Sequence, residues 1–154
     1  MNKVVKFLLL IAAISLVLIQ FIPTEKPDNN SDSANDLIHL ENVPQEIAGL
    51  LKAGCYDCHS EKVNYPWYTS VAPISWLVIR DVRLGREELN LSQWGQLSKR
   101  KKIKTLTSMA EEIEDDEMPL PIYTIMHSAA RFNDEQRSAL ITWADKLSSE
   151  IMGE

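Results

Sequence analysis

The stretch that decides the fold is Cys55-Tyr56-Asp57-Cys58-His59, which contains both cysteines of the 154-residue chain. Its order, C-x-x-C-H, is the attachment signature of c-type haem. Two thiols add across the two vinyl groups on one edge of the porphyrin, and two intervening residues allow one helical turn to span that edge. The next residue, His59, is then placed to bind the iron as proximal ligand. The motif predicts one haem c, attached covalently through Cys55 and Cys58.

Other chemistries also use two cysteines at this spacing. A thiol–disulfide exchanger carries C-x-x-C in a strand–helix context and gives His59 no role. Structural zinc takes four ligands, and the only histidines outside the motif are the distant His39 and His127. The motif is also short enough to arise by chance. The rest of the sequence is needed to distinguish these interpretations.

The N-terminal segment has the pattern of a signal sequence or signal anchor. Residues from Phe7 to Ile22 are almost wholly apolar and follow Lys3 and Lys6. No small-x-small cleavage site follows, so we expect residues 1–22 to remain as a single membrane-spanning anchor. The lysines would stay cytoplasmic by the positive-inside rule. The rest of the chain would then face the periplasm from the inner membrane.

Export agrees with the haem interpretation, because bacteria attach haem covalently outside the cytoplasmic membrane, where free thiol pairs tend to oxidise. Residues 23–36 are polar and rich in Pro, Asn, Ser and Asp. This composition predicts a flexible linker. Residues 37–154 are then expected to form the haem-binding domain.

Charge limits the classes of partner. The net charge is −6, and the chain without Lys3 and Lys6 has 14 basic and 22 acidic residues, a net charge of −8. Nucleic-acid binding is therefore not expected. A basic or membrane-bound partner, such as a redox protein of the cell envelope, is favoured. Two cysteines are too few for a disulfide-stapled scaffold.

Helical periodicity surrounds the motif. An amphipathic helix beginning near Pro44 leads directly into Cys55. A second helix is predicted from about Pro73 to Leu84, with Gly85 as its C-cap. Ser92 is predicted to cap a third helix, whose apolar face comprises Ile103, Leu106, Ala110 and Ile113.

The final helix has a capping-box start at Asn133 and Gln136. We expect this helix to pack across the first one. Arg80, Arg83 and Arg86 share one helical stripe, which would bind haem propionates or simply face solvent. A backbone carbonyl near Pro66 or Pro73 is a candidate acceptor for the Nδ1 hydrogen of His59.

Met118 is the predicted sixth ligand of the iron. Its thioether is soft, and Met118-Pro119 interrupts the helical pattern shortly before the final helix. The competing ligand is His127, which would give bis-histidine iron at lower potential. Met126 and His39 are weaker candidates. The alternative role for Met118 is that of a core-filling methionine.

A wider set of motifs resembles the small bacterial haem-binding domain family, whose members are membrane-tethered and carry a single haem. The resemblance covers Leu37 to Leu147 and implies an all-α domain like class I cytochrome c behind the anchor helix. It leaves the sixth ligand open between Met118 and His127. The motifs that carry it are Cys55-Tyr-Asp-Cys-His59, Asn64-Tyr-Pro-Trp-Tyr68, Val71-Ala-Pro-Ile-Ser-Trp76, Gly85-Arg86, Met118-Pro119, Tyr123, His127 and Arg137 through Trp143.

The leading function is one-electron transfer by a single haem, without enzymatic activity. The alternative is a haem-based sensor or small-ligand-binding module with an exchangeable sixth position. A third class, thiol–disulfide exchange, would use Cys55 and Cys58 directly. A peroxidase is disfavoured because dihaem peroxidases need a second haem site, and the sequence has one C-x-x-C-H.

Overall fold

The computed structural model describes residues 2–29 and 34–153. Within these ranges the chain is all helical, without β-strands, and it carries an apolar N-terminal helix, so the predicted all-α fold is confirmed. The helices are α1 (Lys3–Leu18), α2 (Leu37–Leu40), α3 (Gln45–Gly54), α4 (Tyr56–His59), α5 (Ile74–Glu88), α6 (Lys99–Glu114), α7 (Pro121–Met126) and α8 (Asp134–Gly153). Short 3-10 helices occur at Ile19–Phe21, Trp67–Ser70, Leu91–Gln96 and Ser128–Ala130.

Helix α1 stands apart from the packed helices. Together with the following 3-10 turn it covers Lys3–Phe21, with a mean hydropathy of 2.6 and no buried residue. Nineteen residues are close to the length that an α-helix needs to cross a bilayer. The segment therefore has the length and composition of a membrane anchor or a signal sequence.

The hydrophobic core is built chiefly by α3, α6 and α8, and the contact between α6 and α8 is the most extensive of any helix pair in the described chain. Helix α8 also touches α3, as expected, but α6 is its principal partner. Trp94, which is fully buried, extends this core and donates its indole hydrogen to Glu41. The side chains that α6 and α8 bury are Thr105, Leu106, Ala110, Ile113, Leu140, Ala144, Leu147, Ser148 and Ile151.

The capping box of the last helix is confirmed. The Asn133 amide donates to Gln136 Oε1 at 3.0 Å, and the Gln136 amide donates to Asn133 Oδ1 at 2.8 Å. Ser98 rather than Ser92 caps α6, through a bond from the Lys101 amide. Ser92 lies inside a 3-10 helix, where tertiary packing buries it completely.

Gly85 lies within α5 and does not end it, contrary to the prediction from sequence. The helix continues to Glu88, and the Leu89 amide still bonds the Gly85 carbonyl at 2.9 Å. Glycine is a common C-cap because it tolerates left-handed backbone, but no glycine among the described residues has a positive φ. A glycine is needed at this position because α4 approaches α5 closely there.

Residues 20–29, here called the strap, run from the end of α1 along the helical domain. Asn29 bonds both the amide and the carbonyl of Val63, at 2.8 and 2.9 Å. Lys26 donates to Ser70 Oγ at 3.1 Å, and Arg83 donates to the Glu25 carbonyl at 2.9 Å. A flexible linker was expected over residues 23–36. Several of its polar residues instead form hydrogen bonds with the helical domain. Residues 30–33 of that linker lie outside the described residues.

Candidate haem site

The C-x-x-C-H motif occupies a single helical turn. Helix α3 ends at Gly54, Cys55 is the junction residue, and α4 begins at Tyr56. The His59 amide bonds the Cys55 carbonyl at 2.8 Å, which closes the turn. Cys55 at the junction, and Cys58 and His59 within α4, are therefore held in one turn of backbone.

Tyr56, the first residue between the cysteines, anchors the motif to the core. Its ring is buried and its hydroxyl donates to Asp36 Oδ1 at 2.8 Å. Asp36 is itself fully buried, caps α2 through the Ile38 amide at 3.0 Å, and forms an ion pair with Lys62 at 3.1 Å. Because a buried carboxylate needs such partners, the tyrosine and the aspartate hold each other in place.

Asp57, the second intervening residue, holds the opposite side of the motif. Its Oδ2 accepts from the Tyr123 hydroxyl at 2.8 Å, and its Oδ1 accepts from the Asn64 amide at 2.9 Å. Burial and the neighbouring Asp57 carboxylate raise the pKa of Tyr123, so this hydroxyl keeps its proton and donates. Tyr123 thereby ties α7 to the motif.

His59 is oriented by the C-terminal end of α5. Its Nδ1 lies 2.8 Å from the Gly85 carbonyl oxygen and 3.3 Å from that of Leu89. The prediction that a carbonyl near Pro66 or Pro73 accepts this hydrogen is therefore wrong, because α4 packs against the last turn of α5. Burial lowers the pKa of His59, although both carbonyls oppose this effect. A neutral imidazole that donates from Nδ1 presents Nε2 as the nitrogen for a metal.

Gly85 makes this orientation sterically possible. A Cβ at Gly85 would lie 2.8 Å from the Cys58 carbonyl oxygen and 3.2 Å from Cys58 Cβ. The first contact is with backbone, which cannot rotate away as a side chain can. A side chain at Gly85 would therefore push α4 away from α5 and lengthen the bond to His59.

Both motif cysteines are free and partly buried. Burial raises the pKa of Cys55 to about 12, with a smaller contribution from Cys58. Burial, followed by the charges of Asp57 and Asp81, raises the pKa of Cys58 to about 11. Thiol–disulfide exchangers activate cysteine by lowering its pKa, so this environment is opposite to theirs.

Met118 follows the C-terminal turn of α6. Asp116 adopts a positive φ of 61°, and the amides of Glu117 and Met118 both bond the Glu112 carbonyl at 3.0 Å, which is a Schellman-type helix end. The next residue, Pro119, lies 2.9 Å from the position a Cβ would take on Gly54. The half-buried Met118 is thus next to a proline that lies close to Gly54, the residue before the motif. Its role as iron ligand stays a prediction.

His127 belongs to a cluster with Tyr68 and Tyr123, here called the aromatic cluster. Its ring stacks on Tyr123 with centroids 3.9 Å apart and planes 10° apart. Its Nε2 is hydrogen-bonded to the Tyr68 hydroxyl. The nitrogen that would bind iron is therefore engaged by Tyr68. Of the weaker candidates, Met126 is 60% exposed and His39 lies on the exposed side of α2.

The predicted arginine stripe mostly binds the chain itself. Arg80 pairs with Asp81, and Arg83 bonds the strap. Arg86 donates from Nε to the Ser60 carbonyl at 2.8 Å and from Nη1 to the Asp28 carbonyl at 2.6 Å. Its buried Nη2 has no partner among the described residues, so it is a donor that a carboxylate of a bound group would satisfy.

These residues fit a haem group better than the competing cofactors. The two thiols and the imidazole share one turn, and the imidazole is fixed in the tautomer that iron ligation needs. In residues 2–29 and 34–153 no group of three or more His, Cys, Asp or Glu side chains is suited to hold a metal ion, so a structural zinc site has no ligand set there.

The hydrogen-bond pairs that build the site were not predicted from the sequence. Their partners are far apart in the chain: Tyr56 pairs with Asp36, Asp57 with Tyr123, and His59 with Gly85. No periodicity links such positions. The one available signal was that Tyr56 and Asp57 are both able to hydrogen-bond.

The profile of a family described as a haem-binding domain matches residues 14–146, most of the chain. The chain belongs to this haem-binding domain family. The predicted family is confirmed, and haem is the cofactor that membership indicates. The matched range includes the strap as well as every helix from α2 to α7. This agrees with the contacts that join the strap to the helical domain.

Among curated proteins the chain is similar to cytochrome c peroxidase Ccp of Escherichia coli (strain K12), with 27% identity over 109 residues. The similarity covers 68% of this chain and 23% of the relative. The chain therefore spans about a quarter of the length of that peroxidase. No solved structure matches the chain.

Proposed function

We propose that this haem-binding protein carries a single covalent haem c and transfers one electron at a time in the bacterial cell envelope. The observation that supports this most directly is the hydrogen bond from His59 Nδ1 to Gly85 O at 2.8 Å, which leaves Nε2 as the ligating nitrogen. His59 is the last residue of a C-x-x-C-H turn, and the chain belongs to a haem-binding domain family. A carrier of this kind has no catalytic residues of its own.

In this proposal Cys55 and Cys58 hold the porphyrin through thioether bonds, His59 is the proximal ligand and Met118 is the sixth ligand. The bound haem would supply an Fe(III)/Fe(II) couple. The chain supplies the fixed positions. Tyr56 and Asp57 hold the turn from both sides, and the Gly85 carbonyl holds the imidazole plane. Residues so restrained keep one geometry in both oxidation states.

We place the protein in the inner membrane, anchored by an uncleaved α1 with its helical domain in the periplasm. The apolar Lys3–Phe21 segment, with the basic Lys3 and Lys6 in its first turn, supports this placement. The domain would exchange electrons with redox proteins of the envelope. The net charge of −6 favours basic docking surfaces on those partners and disfavours nucleic acid.

The similarity to a cytochrome c peroxidase offers a second function to test. The shared region is only 23% of that relative, so the activity of the whole protein does not follow from it. We propose that this chain does not consume peroxide on its own. Turnover of hydrogen peroxide by the purified haem protein, at a rate above that of free haem, would contradict this.

The central experiment is expression of the full chain in a host with haem-attachment machinery, followed by a pyridine haemochrome of the denatured protein. We expect one haem per chain to remain bound after denaturation. Cys55→Ala and Cys58→Ala should each leave a single thioether, and the double variant should lose covalent haem completely. A wild-type protein without covalent haem would refute the proposal.

The sixth ligand is tested by comparing Met118→Ala with His127→Ala in native absorption spectra. We expect Met118→Ala to abolish the low-spin six-coordinate spectrum, whereas His127→Ala should retain it. A six-coordinate spectrum in both variants would exclude both residues as ligands. Rapid binding of carbon monoxide to the unmodified ferrous protein would instead favour the sensor, in which the sixth position is exchangeable.

A further inference from the structure

The side chain of Gln20 joins the end of the apolar helix to the start of α5. Its Nε2 donates to the Ala72 carbonyl at 3.0 Å, and its Oε1 accepts from the Ala72 amide at 3.0 Å. Nε2 also donates to the Leu16 carbonyl at 2.8 Å, within α1. One amide side chain therefore links the last turns of the candidate membrane span to a buried residue two positions before α5.

Asn29 repeats this arrangement nine residues later, by bonding both the amide and the carbonyl of Val63. Between these two fixed points Arg83 and Arg86 donate to the carbonyls of Glu25 and Asp28. The strap thus has contacts at its start, middle and end. A chain held at so many points fixes the distance between α1 and the domain, which a loose tether would not.

An apolar surface lies beside Ala72 on the outside of the domain. Val71 is 38% exposed, Ile74 46% and Leu77 42%. Ile74 and Leu77 are three residues apart, so they share the outer face of α5. The opposite face of that helix, with Ile79 and Val82, is buried in the protein.

The two hydrogen bonds between Gln20 and Ala72 indicate the depth of this apolar surface relative to a bilayer. The candidate span ends at Phe21, so Gln20 lies at the boundary between hydrocarbon and head groups if α1 crosses a bilayer. Residues bonded to Gln20, and their immediate neighbours, then lie at the same level. Apolar side chains at that depth bury surface among head groups and acyl chains instead of exposing it to water.

We propose that Val71, Ile74 and Leu77, here called the membrane face, rest in the head-group region of the bilayer that α1 spans. The haem-binding domain would then have one fixed orientation on a phospholipid surface. This inference rests on the membrane anchorage in the proposed function, but it does not depend on covalent haem or on the identity of the sixth ligand.

The test uses the full haem-loaded chain in vesicles of phosphatidylethanolamine and phosphatidylglycerol that contain a phospholipid with a diazirine near its glycerol backbone. After illumination, mass spectrometry locates the labelled residues. We expect residues 71–77 to be labelled at least fivefold more than residues 122–126. The latter segment is an internal control, because Ile122, Ile125 and Met126 are 60–66% exposed and no hydrogen bond joins α7 to the strap in the described chain.

Two kinds of variant sharpen the test. Gln20→Ala removes both bonds to Ala72 and should reduce labelling of the membrane face at least threefold, while haem content stays unchanged. Gln45→Ala, at an exposed position on α3, is the matched control and should label like the wild type. Ile74→Asp together with Leu77→Asp should also reduce labelling, because a charged face is repelled from lipid.

Equal labelling of the two segments, or no labelling of residues 71–77, would overturn the inference. Recovery of a membrane-free chain cleaved after α1 would also overturn it. A water-soluble carbene reagent can be applied to the protein with and without haem. If the membrane face were protected from this reagent only when haem is attached, the surface would belong to the haem site and not to the membrane. If the wild-type chain took up no covalent haem when expressed with the attachment machinery, but residues 71–77 were still labelled, the proposed function would fail and this inference would stand.

Discussion

Two regions hold the haem motif in different ways: the contact between α4 and α5, and the aromatic cluster. At the α4–α5 contact the determining groups are backbone atoms. The Gly85 carbonyl orients His59, and the Cys58 carbonyl oxygen lies only 2.8 Å from the position of a Cβ on Gly85. In the aromatic cluster the determining groups are the side chains of Tyr68, Tyr123 and His127. Helix α7, which carries Tyr123, has no buried residue.

This difference indicates which side of the site tolerates change. Backbone contacts at van der Waals distance permit one residue type, since adding a single carbon requires a whole helix to move. Side-chain hydrogen bonds on an exposed helix can be lost singly, each at a cost of about 1 kcal/mol. We therefore expect the proximal side of the haem to be rigidly set and the side near α7 to be adjustable.

The largest expected effect concerns the reactivity of the motif thiols in haem-free protein. Since the thiolate fraction falls about tenfold per pKa unit, a pKa of about 11 in place of 9.0 should slow alkylation of Cys58 at pH 8 by about 100-fold. Cys55 should react more slowly still. The rate with iodoacetamide, followed by mass spectrometry, checks this. The same chain in denaturant is the control, and equal rates in the two states would contradict the described burial.

Substitution of Gly85 tests the α4–α5 contact directly. Gly85→Ala should lower the free energy of unfolding by about 2–3 kcal/mol, because its Cβ would clash with the Cys58 carbonyl. Chemical denaturation of the haem-free protein measures the change. Gly49→Ala is the matched control, since no atom lies within 4 Å of a Cβ there. Because Gly49 is an exposed position of α3, this variant should be more stable by about 0.5–1 kcal/mol. If Gly85→Ala left the free energy of unfolding unchanged, α4 and α5 would be less closely packed than described.

Substitution of Tyr123 tests the connection between the two regions. Tyr123→Phe removes the donor to Asp57 and should cost about 1–2 kcal/mol, because a carboxylate loses a hydrogen bond. Covalent haem attachment should be retained, since the α4–α5 contact is unchanged. Urea denaturation and a haemochrome measured on one sample check both expectations. Loss of haem in this variant would mean that α7 determines the position of the motif.

The smallest effect is expected within the aromatic cluster. Tyr68→Phe removes the hydrogen bond to His127 and should cost about 0.5–1 kcal/mol, since Tyr68 is only partly buried. The absorption spectrum of the haem protein should stay that of the wild type. A new bis-histidine spectrum would show that the tyrosine restrains His127 from binding iron.

Some features of this chain followed directly from the sequence. Helical periodicity predicted individual helices, and the resemblance to a haem-binding family implied the all-α fold. The pair Asn133 and Gln136 predicted the start of the last helix, and the apolar residues after Lys6 predicted α1. These signals are local, so neighbouring residues suffice to read them. The motif of Cys55, Cys58 and His59 is also local, and the family match to a haem-binding domain agrees with its interpretation.

Tertiary structure alone decided how the motif is held. Gly85 looks like a helix cap in sequence but is a packing residue against Cys58, and residues 23–29 look like a loose linker but bind Val63, Ser70 and the arginines of α5. The physical reason is the same in both cases. Local sequence specifies backbone preference, whereas a steric gap or a hydrogen-bond partner contributed by residues 26–58 positions away exists only once the helices have packed.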